Sequence, residues 1–558
     1  MGLLKSVAKK PPLRIGGSGA TQVSNLRPRQ VEKLAPCIGN CPNCTDIRGW
    51  IATIAQREKT GLSEDEALER AWRMIADFNP FPAAMGRVCP HPCEANCNRS
   101  EKDGAVAVNA MERFLGDWAI ERGLALGKLE EDVKPESIGI IGAGPGGLSC
   151  AYQLARRGYP VTVYEAFPAA GGMLRYGIPR YRLPRHVLDA EIQRILDLGV
   201  QLELDTAVGR DISLEELRSR HRAIFVGIGA HRGKTLGVPG EEGPGVWTGT
   251  EFLNRINSGE RVDVGARVAV IGGGDTAVDA ARVARRLGAT VTIVYRRTRA
   301  EMPAIDSEID QALEEDIEIT FLAAPVRIRR EGEHPVALVV QRMELGEPDA
   351  SGRKRPVPIA GSEYEIAVDT VIAAISQAPA VEPVAALGAA DGWFKTDETG
   401  KVADDVWAGG DDIELGLATI AVYQGRRAAE TIHATLRGTE PPKHDERPQI
   451  PAARLKLDSY EGKARAERAL LAAKERLADP DAEIDGGITK EQFLSEVTRC
   501  LSCGLCFDCE KCWMYCQSSC FAKLEDKRPG HYFKIKLELC DGCKKCAEEC
   551  PCGYLEMA

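Results

Sequence analysis

Short apolar runs rich in β-branched residues alternate with helix-period stretches through the middle of the chain, a pattern that predicts parallel α/β units. Ile138, Ile140 and Ile141 form one such run. A helix-compatible segment follows, then a second strand, Val161-Thr-Val-Tyr164, ending on Glu165. The arrangement repeats from Val268 in VAVIGGGDTAVDAARVARRLGATVTIVYRR, which predicts two folds of one kind, the second inserted within the first. Residues 320 to 370 read as strands with polar turns and a charged insertion, EPDASGRKRP. VDTVIAAISQAP then reads as a buried strand returning to the first fold, and a helix begins near Leu417. Upstream, one helix starts at Asp46. Ser63 and Glu66 make a capping box for LSEDEALERAWRMIADFNP, which stops near Pro80. A further helix, AVAVNAMERFLGDWAIERG, carries Glu112. Beyond the Pro-rich TEPPKHDERPQIPAAR, the interleaved charges of YEGKARAERALLAAKERL suggest a helix with a solvated face.

A chain of 558 residues is too long for one core. Its formal charge of −10 argues against nucleic acid as a partner. No run approaches the ~18 to 20 apolar residues of a membrane span. No secretory signal is visible, so a cytoplasmic location is expected. The opening MGLLKS fits a myristoylation pattern too short to weigh against chance. The first 36 residues, polar and broken by Pro11, Pro12, Gly16, Gly17 and Gly19, are expected to form an arm.

The nineteen cysteines are clustered. Six lie between Cys37 and Cys97, twelve between Cys500 and Cys552, and Cys150 stands alone as a small buried hydrophobe. Clusters in a reducing compartment point to metal rather than disulfides. CDGCKKCAEECP supplies Cys540, Cys543, Cys546 and Cys550 in the C-x2-C-x2-C-x3-C-P run of bacterial ferredoxins. CFDCEKCWMYC repeats the spacing with Cys506, Cys509, Cys512 and Cys516, followed by Gln517 in place of proline. Two such runs exchange their fourth ligands, so one 4Fe-4S cluster takes Cys506, Cys509, Cys512 and Cys550. The other takes Cys540, Cys543, Cys546 and Cys516. Cys500, Cys503, Cys520 and Cys552 are left over. An alternative register through Cys500, Cys503 and Cys506 breaks the fourth step. In the N-terminal block, APCIGNCPNC (Cys37, Cys41, Cys44) and GRVCPHPCEANC (Cys89, Cys93, Cys97) suit an iron site, with zinc the competing reading.

The glycine loops carry the other chemistry. Gly142 permits a tight turn, Gly144 lets backbone approach a pyrophosphate, and Gly147 lets helix pack on strand. The helix N-terminus faces the phosphates, and Glu165, eighteen residues past the last glycine, is placed to accept from a ribose. In the second copy Gly272, Gly274 and Ala277 take the glycine positions, around Asp275 and Thr276. Arg296 and Arg297 stand where the first copy has Glu165. Arginine there suits a 2′-phosphate, so NADPH is expected at least as readily as NADH.

The motifs GRVCPHPCEANC, GAGPGG, GGMLRYGIPRYRLP, GGGDTAVDAAR, VYRR and AGGD occur in order over residues 37 to 435. They resemble the iron-sulfur flavoprotein family of the glutamate synthase small subunit and the N-terminal half of dihydropyrimidine dehydrogenase. The resemblance implies an α/β protein with a helical N-terminal iron-sulfur domain (37–134) after the arm (1–36). Two nested Rossmann-like domains follow, for FAD (135–262 and 371–437) and for NAD(P)H (263–370). A linker and helix (438–490) lead to a ferredoxin-like domain with two 4Fe-4S clusters (491–558).

The resemblance also implies site residues. Gly172, Leu174 and Arg175 would lie around the flavin. Gly410 and Asp411, with Gly409 before them, would hold its ribityl chain, and Thr419 opens the helix facing it. Cys41, Cys89, Cys93 and Glu112 would form one N-terminal cluster. The family has a further C-x2-C ahead of Cys37, absent here, so Cys37, Cys97 and Cys44 leave a second cluster one ligand short. One or two N-terminal clusters are therefore expected.

Electrons would move between nicotinamide, FAD and the clusters to or from a redox partner protein. No Ser-His-Asp, HExxH or paired-carboxylate pattern names a catalytic acid or base. PCIGNCPNC together with RCLSCGLCFDCEKCWMYCQSSC resembles DsrL-type flavoproteins, which implies dissimilatory sulfite reductase as the partner. Alternatives are a glutamate-synthase-type reductase subunit, an NAD(P)H:ferredoxin or ferric-iron reductase, and a zinc-binding assembly protein. A homodimer is among the assemblies allowed.

Overall fold

The computed structural model describes residues 23–349, 352–443, 445 and 447–558. The myristoylation pattern and the Pro/Gly part of the expected arm lie outside them. The chain divides into two compact units. One holds the described residues up to Gly127 with Pro442–Ala469 and Gly487–Ala558, and the other holds Lys128–Pro441 with Leu470–Gly486.

In the larger unit, the first glycine-loop strand, Ile138–Ile141, is central to a six-stranded sheet. The order is Lys401–Ala403, Val406–Ala408, Ala223–Val226, Ile138–Ile141, Val161–Tyr164, Gln201–Glu203. All neighbours are parallel except the first pair. Ile138–Ile141 is buried throughout because helices cover parallel sheets on both faces. The second copy builds a five-stranded parallel sheet ordered Glu318–Phe321, Thr290–Tyr295, Arg267–Ile271, Thr370–Ala373, Val246–Thr248. A three-stranded antiparallel sheet, Ala323–Glu331, His334–Pro348 and Lys354–Ala367, follows in the chain. The nesting is as the repeat implies.

One strand assignment changes. The run within VDTVIAAISQAP does not return to the first sheet. Thr370–Ala373 pairs with Val268–Ile271 on one side and Val246–Thr248 on the other, at the heart of the second sheet. That sheet therefore takes strands from both sides of 263–370. The chain re-enters the first sheet only at Lys401–Ala403 and Val406–Ala408. A short apolar run has the same signature in either buried sheet, so pattern alone cannot choose between them.

In the smaller unit the expected N-terminal helices are present. Asp46 caps Ile47–Ala55 through the Gly49 N–H, the Ser63/Glu66 box caps Glu64–Ala76, and Val108–Glu121 carries Glu112. Two expectations fail. Pro28–Gln30, placed within the arm, is a strand paired antiparallel with Leu555–Met557. The charged stretch from Tyr460 is mostly not helical, and only Ala473–Ala478 is helix. Its backbone N–H groups go to distant partners instead of to preceding carbonyls: Lys463 N to Asp103 Oδ2 at 2.8 Å, Ala466 N to Glu496 Oε1 at 2.6 Å and Ala469 N to the Gly487 carbonyl at 3.1 Å. Tertiary partners override a charge pattern that suits a solvated helix.

Candidate functional site

In the larger unit, the carboxyl ends of the first sheet's strands open into a cavity of about 500 Å³. Its wall includes Gly142, Gly144, Glu165, Gly172, Leu174, Gly410 and Asp411. Gly142 has φ +98°, and a Cβ there would stand 2.3 Å from the Gly227 carbonyl oxygen, so only glycine makes this turn. At Gly144 the nearest atom to an added Cβ is 3.8 Å away, leaving the backbone open to the cavity. Gly147 does not line it and serves packing instead. A Cβ there would meet the Gly142 carbonyl oxygen at 1.9 Å. The helix Ala418–Arg437 points its N-terminus at the cavity and crosses Pro145–Ala155 at a glycine pair, where a Cβ on Gly425 would lie 2.1 Å from the Gly146 oxygen.

Glu165 accepts the Ala143 N–H at 2.7 Å and the Phe167 N–H at 2.9 Å, while burial pushes its carboxyl pKa up. Each oxygen keeps a lone pair for a ribose hydroxyl. Thr419 Oγ1 is buried with no protein partner, as is Oδ1 of Asp412. Asp412 was not foreseen; its Oδ2 accepts the Ile228 N–H at 3.1 Å and so positions the loop behind Asp411. These glycine openings and the acid fit a flavin dinucleotide; Thr419 is not among the residues lining the cavity. Arg175 does not face the cavity. It donates to the Ala170 carbonyl and pairs with Asp189, holding the loop shut on itself.

His231 also lines this cavity, its ring 5.4 Å from Phe167, and burial depresses its pKa to about 4. The folded protein therefore refuses a proton that the unfolded chain binds below about pH 6.5. No penalty applies above that pH, and the penalty grows as the pH falls toward 4. Denaturant midpoints of the flavin-loaded protein at pH 7 and pH 5 are expected to differ less in a His231→Gln variant than in the wild type.

A second cavity, about 580 Å³, lies at the carboxyl ends of the second sheet. It is lined by Gly272, Gly274, Thr276, Arg296, Arg297 and Arg353, among others. Ala277 is fully buried under the loop, and Asp275 accepts the Ile305 N–H at 3.0 Å. The two arginines separate. Arg297 is buried, with Nε on the Lys354 carbonyl and Nη2 on Asp349, both at 2.7 Å, so it braces the strand end. Arg296 is exposed at the rim. Arg353, from the charged insertion, is a cation that the strand-end pattern did not suggest. Thr276 and Gln377 line both cavities, so the two sites meet.

In the smaller unit the cysteines gather into four groups. Cys506, Cys509, Cys512 and Cys550 surround one small apolar cavity, joined by Cys552. Cys516, Cys540, Cys543 and Cys546 surround another, joined by Cys520. Burial raises the pKa of Cys506 and of Cys509 to about 12, with Cys550 among the thiols opposing both. Stacked buried thiols of this kind suit a cationic inorganic core. The third group brings Cys41 beside Glu112 and Cys93 beside Cys41 and Cys89. Glu112 accepts from Asn79 at 2.9 Å, and burial raises its pKa to about 7.

The fourth group was not foreseen. Burial and then the thiols of Cys500, Cys503 and Cys97 raise the pKa of Cys37. Cys44 stands at a left-handed position, φ +53°, in the loop after Cys41. Among the described residues no three His, Cys, Asp or Glu side chains converge as ligands of a single ion. Sets of four cysteines lining one small cavity, as Cys506, Cys509, Cys512 and Cys550 do, suit four-iron clusters.

Comparison with known proteins accords with this geometry. The pyridine nucleotide-disulphide oxidoreductase family matches residues 136–425, and the family of dihydropyrimidine dehydrogenase domain II, 4Fe-4S cluster, matches residues 29–124. A Geobacter sulfurreducens protein named NADPH-Fe(3+) oxidoreductase subunit beta is 38% identical over 520 residues, covering 84% of this chain and 75% of that protein. The Moorella thermoacetica NADP(+)-dependent formate dehydrogenase subunit beta is 38% identical over 516 residues, covering 84% and 70%. The Azospirillum brasilense glutamate synthase [NADPH] small chain is 34% identical over 427 residues, covering 71% and 86%. No described helix is long and apolar enough to cross a membrane.

Proposed function

Because the chain belongs to the pyridine nucleotide-disulphide oxidoreductases, in the NADPH-dependent iron-sulfur flavoprotein family of the glutamate synthase small subunit, we propose that it exchanges electrons between NADPH and a redox partner protein. The path runs through FAD and a series of 4Fe-4S clusters. The observation that carries this reading is the shared wall at Thr276 and Gln377, which brings the two dinucleotide cavities together. FAD bound there would supply the conversion between two-electron hydride chemistry and single-electron chemistry.

The chain's own residues do the positioning. Gly142 and Gly144 would admit the pyrophosphate, Glu165 and Asp411 would accept from the sugar and ribityl hydroxyls, and the N-terminus of Ala418–Arg437 would face the flavin. Gly272 and Gly274 admit the second pyrophosphate, and Arg296 meets the 2′-phosphate. Cys41, Cys89, Cys93 and Glu112 would hold one cluster, and the two crossed ferredoxin sets would hold two more.

For the partner, the resemblance of the two cysteine-rich ends to DsrL-type flavoproteins favours dissimilatory sulfite reductase. Relatives named for ferric iron, formate and glutamate define the rival assignments. Protein purified anaerobically is expected to show flavin and iron-sulfur absorbance and to bleach with NADPH. The reduced protein is then mixed with dissimilatory sulfite reductase and sulfite. Reoxidation that requires both supports this partner. Reoxidation by ferric citrate alone, or by glutamate synthase large subunit with glutamine and 2-oxoglutarate, assigns a rival. Failure of NADPH to bleach a yellow-brown protein would overturn the central reading.

A further inference from the structure

The C-x2-C that the family places ahead of Cys37 has no counterpart at that point of the chain. Its geometric equivalent comes from the far end. Cys97 is followed by Asn98 and Arg99, and both reach across the smaller unit to the segment carrying Cys500 and Cys503. Asn98 Nδ2 donates to Cys503 Sγ at 3.6 Å and to the Ile450 carbonyl at 2.9 Å. Arg99 Nη1 donates to the Arg499 carbonyl, the residue before Cys500, at 2.6 Å. Arg499, fully buried, returns the contact through Asp103 at 3.1 Å and is held by Glu496 at 2.9 Å. On the Cys37 side, Arg48 Nη1 joins the Lys33 carbonyl at 2.6 Å to the Cys503 carbonyl at 2.8 Å. The Lys33 N–H donates to the Gly504 carbonyl at 3.3 Å.

These bonds link the flanks of Cys37 and Cys97 to those of Cys500 and Cys503, more than 390 residues away in sequence. Buried guanidinium groups bonded to backbone carbonyls are costly to break, so the alignment is rigid. Around Cys500 the Ser502 N–H points at its sulfur at 3.5 Å, and Ser502 takes a left-handed φ of +51°. A chain bent so that N–H groups face sulfur is how iron-sulfur loops stabilise a charged core.

We propose that Cys500 and Cys503 complete the cluster begun by Cys37 and Cys97, so that one 4Fe-4S cluster is held half by the N-terminal and half by the C-terminal segment. The run Cys500, Cys503, Cys506 then divides, its first two thiols serving this cluster and its third the ferredoxin. This goes beyond the proposed function while resting on its premise that the smaller unit holds clusters. It also gives the wire continuity. Cys37 and Cys41 join the two N-terminal clusters, and Cys503 and Cys506, whose Cα atoms the chain keeps within about 11 Å, join the shared cluster to the ferredoxin. Cys512 with Cys516, and Cys546 with Cys550, join the last two. Cys44 takes no part.

The test measures iron, acid-labile sulfide and FAD in anaerobically purified full-length protein, with low-temperature EPR of the dithionite-reduced state. The Cys500→Ser/Cys503→Ser variant is expected to keep its FAD and lose one cluster, about a quarter of its iron and sulfide. The same EPR component should vanish in Cys37→Ser, combining the changes should remove no further iron, and Cys44→Ser should remove none. Full iron in the double variant, or additive losses with Cys37→Ser, would overturn the proposal.

Should the double variant lose more than one cluster, Asn98→Leu decides, since it leaves every thiol in place. Loss of the N–H···S contact should shift the midpoint potential of the component missing in Cys37→Ser and of no other. No shift, or a shift elsewhere, counts against the assignment. An iron-free wild type would instead sink the electron-transfer reading itself.

Discussion

Gly147→Ala is expected to weaken FAD binding by about 5- to 150-fold, so that the protein purifies with a smaller FAD content than the wild type. The added Cβ would stand 1.9 Å from the Gly142 carbonyl oxygen, which belongs to the loop that lines the flavin cavity. Neither side yields cheaply. Gly142 is itself confined, because its turn at φ +98° lies where an added Cβ would stand 2.3 Å from the Gly227 carbonyl oxygen, and the helix bearing Gly147 is pinned by the Gly146–Gly425 crossing. Overpacking of this kind typically costs ~1 to 3 kcal/mol. Here the displacement falls on the loop proposed to hold the flavin's phosphates, so the loss appears first in flavin affinity. The second fold supplies the control. Its helix already carries Ala277 at the matching position, and Ala277→Gly is expected to cost only about 1 kcal/mol of helix stability. Flavin released by acid and measured by fluorescence, per mole of chain, decides the matter; Gly147→Ala at full occupancy would contradict the assigned cradle.

The second large effect concerns the nicotinamide cofactor. Arg296→Glu is expected to lower kcat/KM for NADPH by about 10²- to 10³-fold while changing that for NADH only a few-fold. A charge-assisted bond to phosphate contributes ~1.5 to 3 kcal/mol, and reversing the charge adds repulsion. Arg297 is not its equal. With Nη2 on Asp349 and Nε on the Lys354 carbonyl, it is committed to the fold, so Arg297→Gln should lower stability without the same switch of cofactor. Steady-state kinetics with a viologen acceptor and both nicotinamides separate the two arginines. Equal losses with NADH and NADPH in Arg296→Glu would show that the rim carries no 2′-phosphate selectivity.

Local patterns were readable where the chemistry itself is local. Each glycine loop, its strand and its helix are contiguous, so Gly142, Gly144 and Glu165 can be placed on one cavity from spacing alone. The two C-terminal thiol groups are readable for the same reason, since C-x2-C-x2-C-x3-C keeps three of each set within one loop, and the crossed sets do line two small cavities. Side-chain direction was less accessible. Arg175 and Arg297 stand in the right segments, yet each is taken up by a nearby carboxylate, Asp189 and Asp349. Whether an arginine finds its partner inside the protein or in a ligand depends on what lies opposite, which spacing does not record.

Taken by itself, the sequence determined the inventory: two dinucleotide loops, an arginine where an acid would favour NAD, and enough clustered thiols for several iron-sulfur clusters. Only the tertiary structure decided the groupings that depend on distant segments. It assigned Thr370–Ala373 to the second sheet, laid the charged stretch after Tyr460 along its neighbours without forming a helix, and brought Cys500 and Cys503 to Cys37 and Cys97. The physical reason is common to all three. Periodicity and spacing report the conformation a segment prefers, whereas its partner is chosen by burial and by backbone groups that must be satisfied hundreds of residues away.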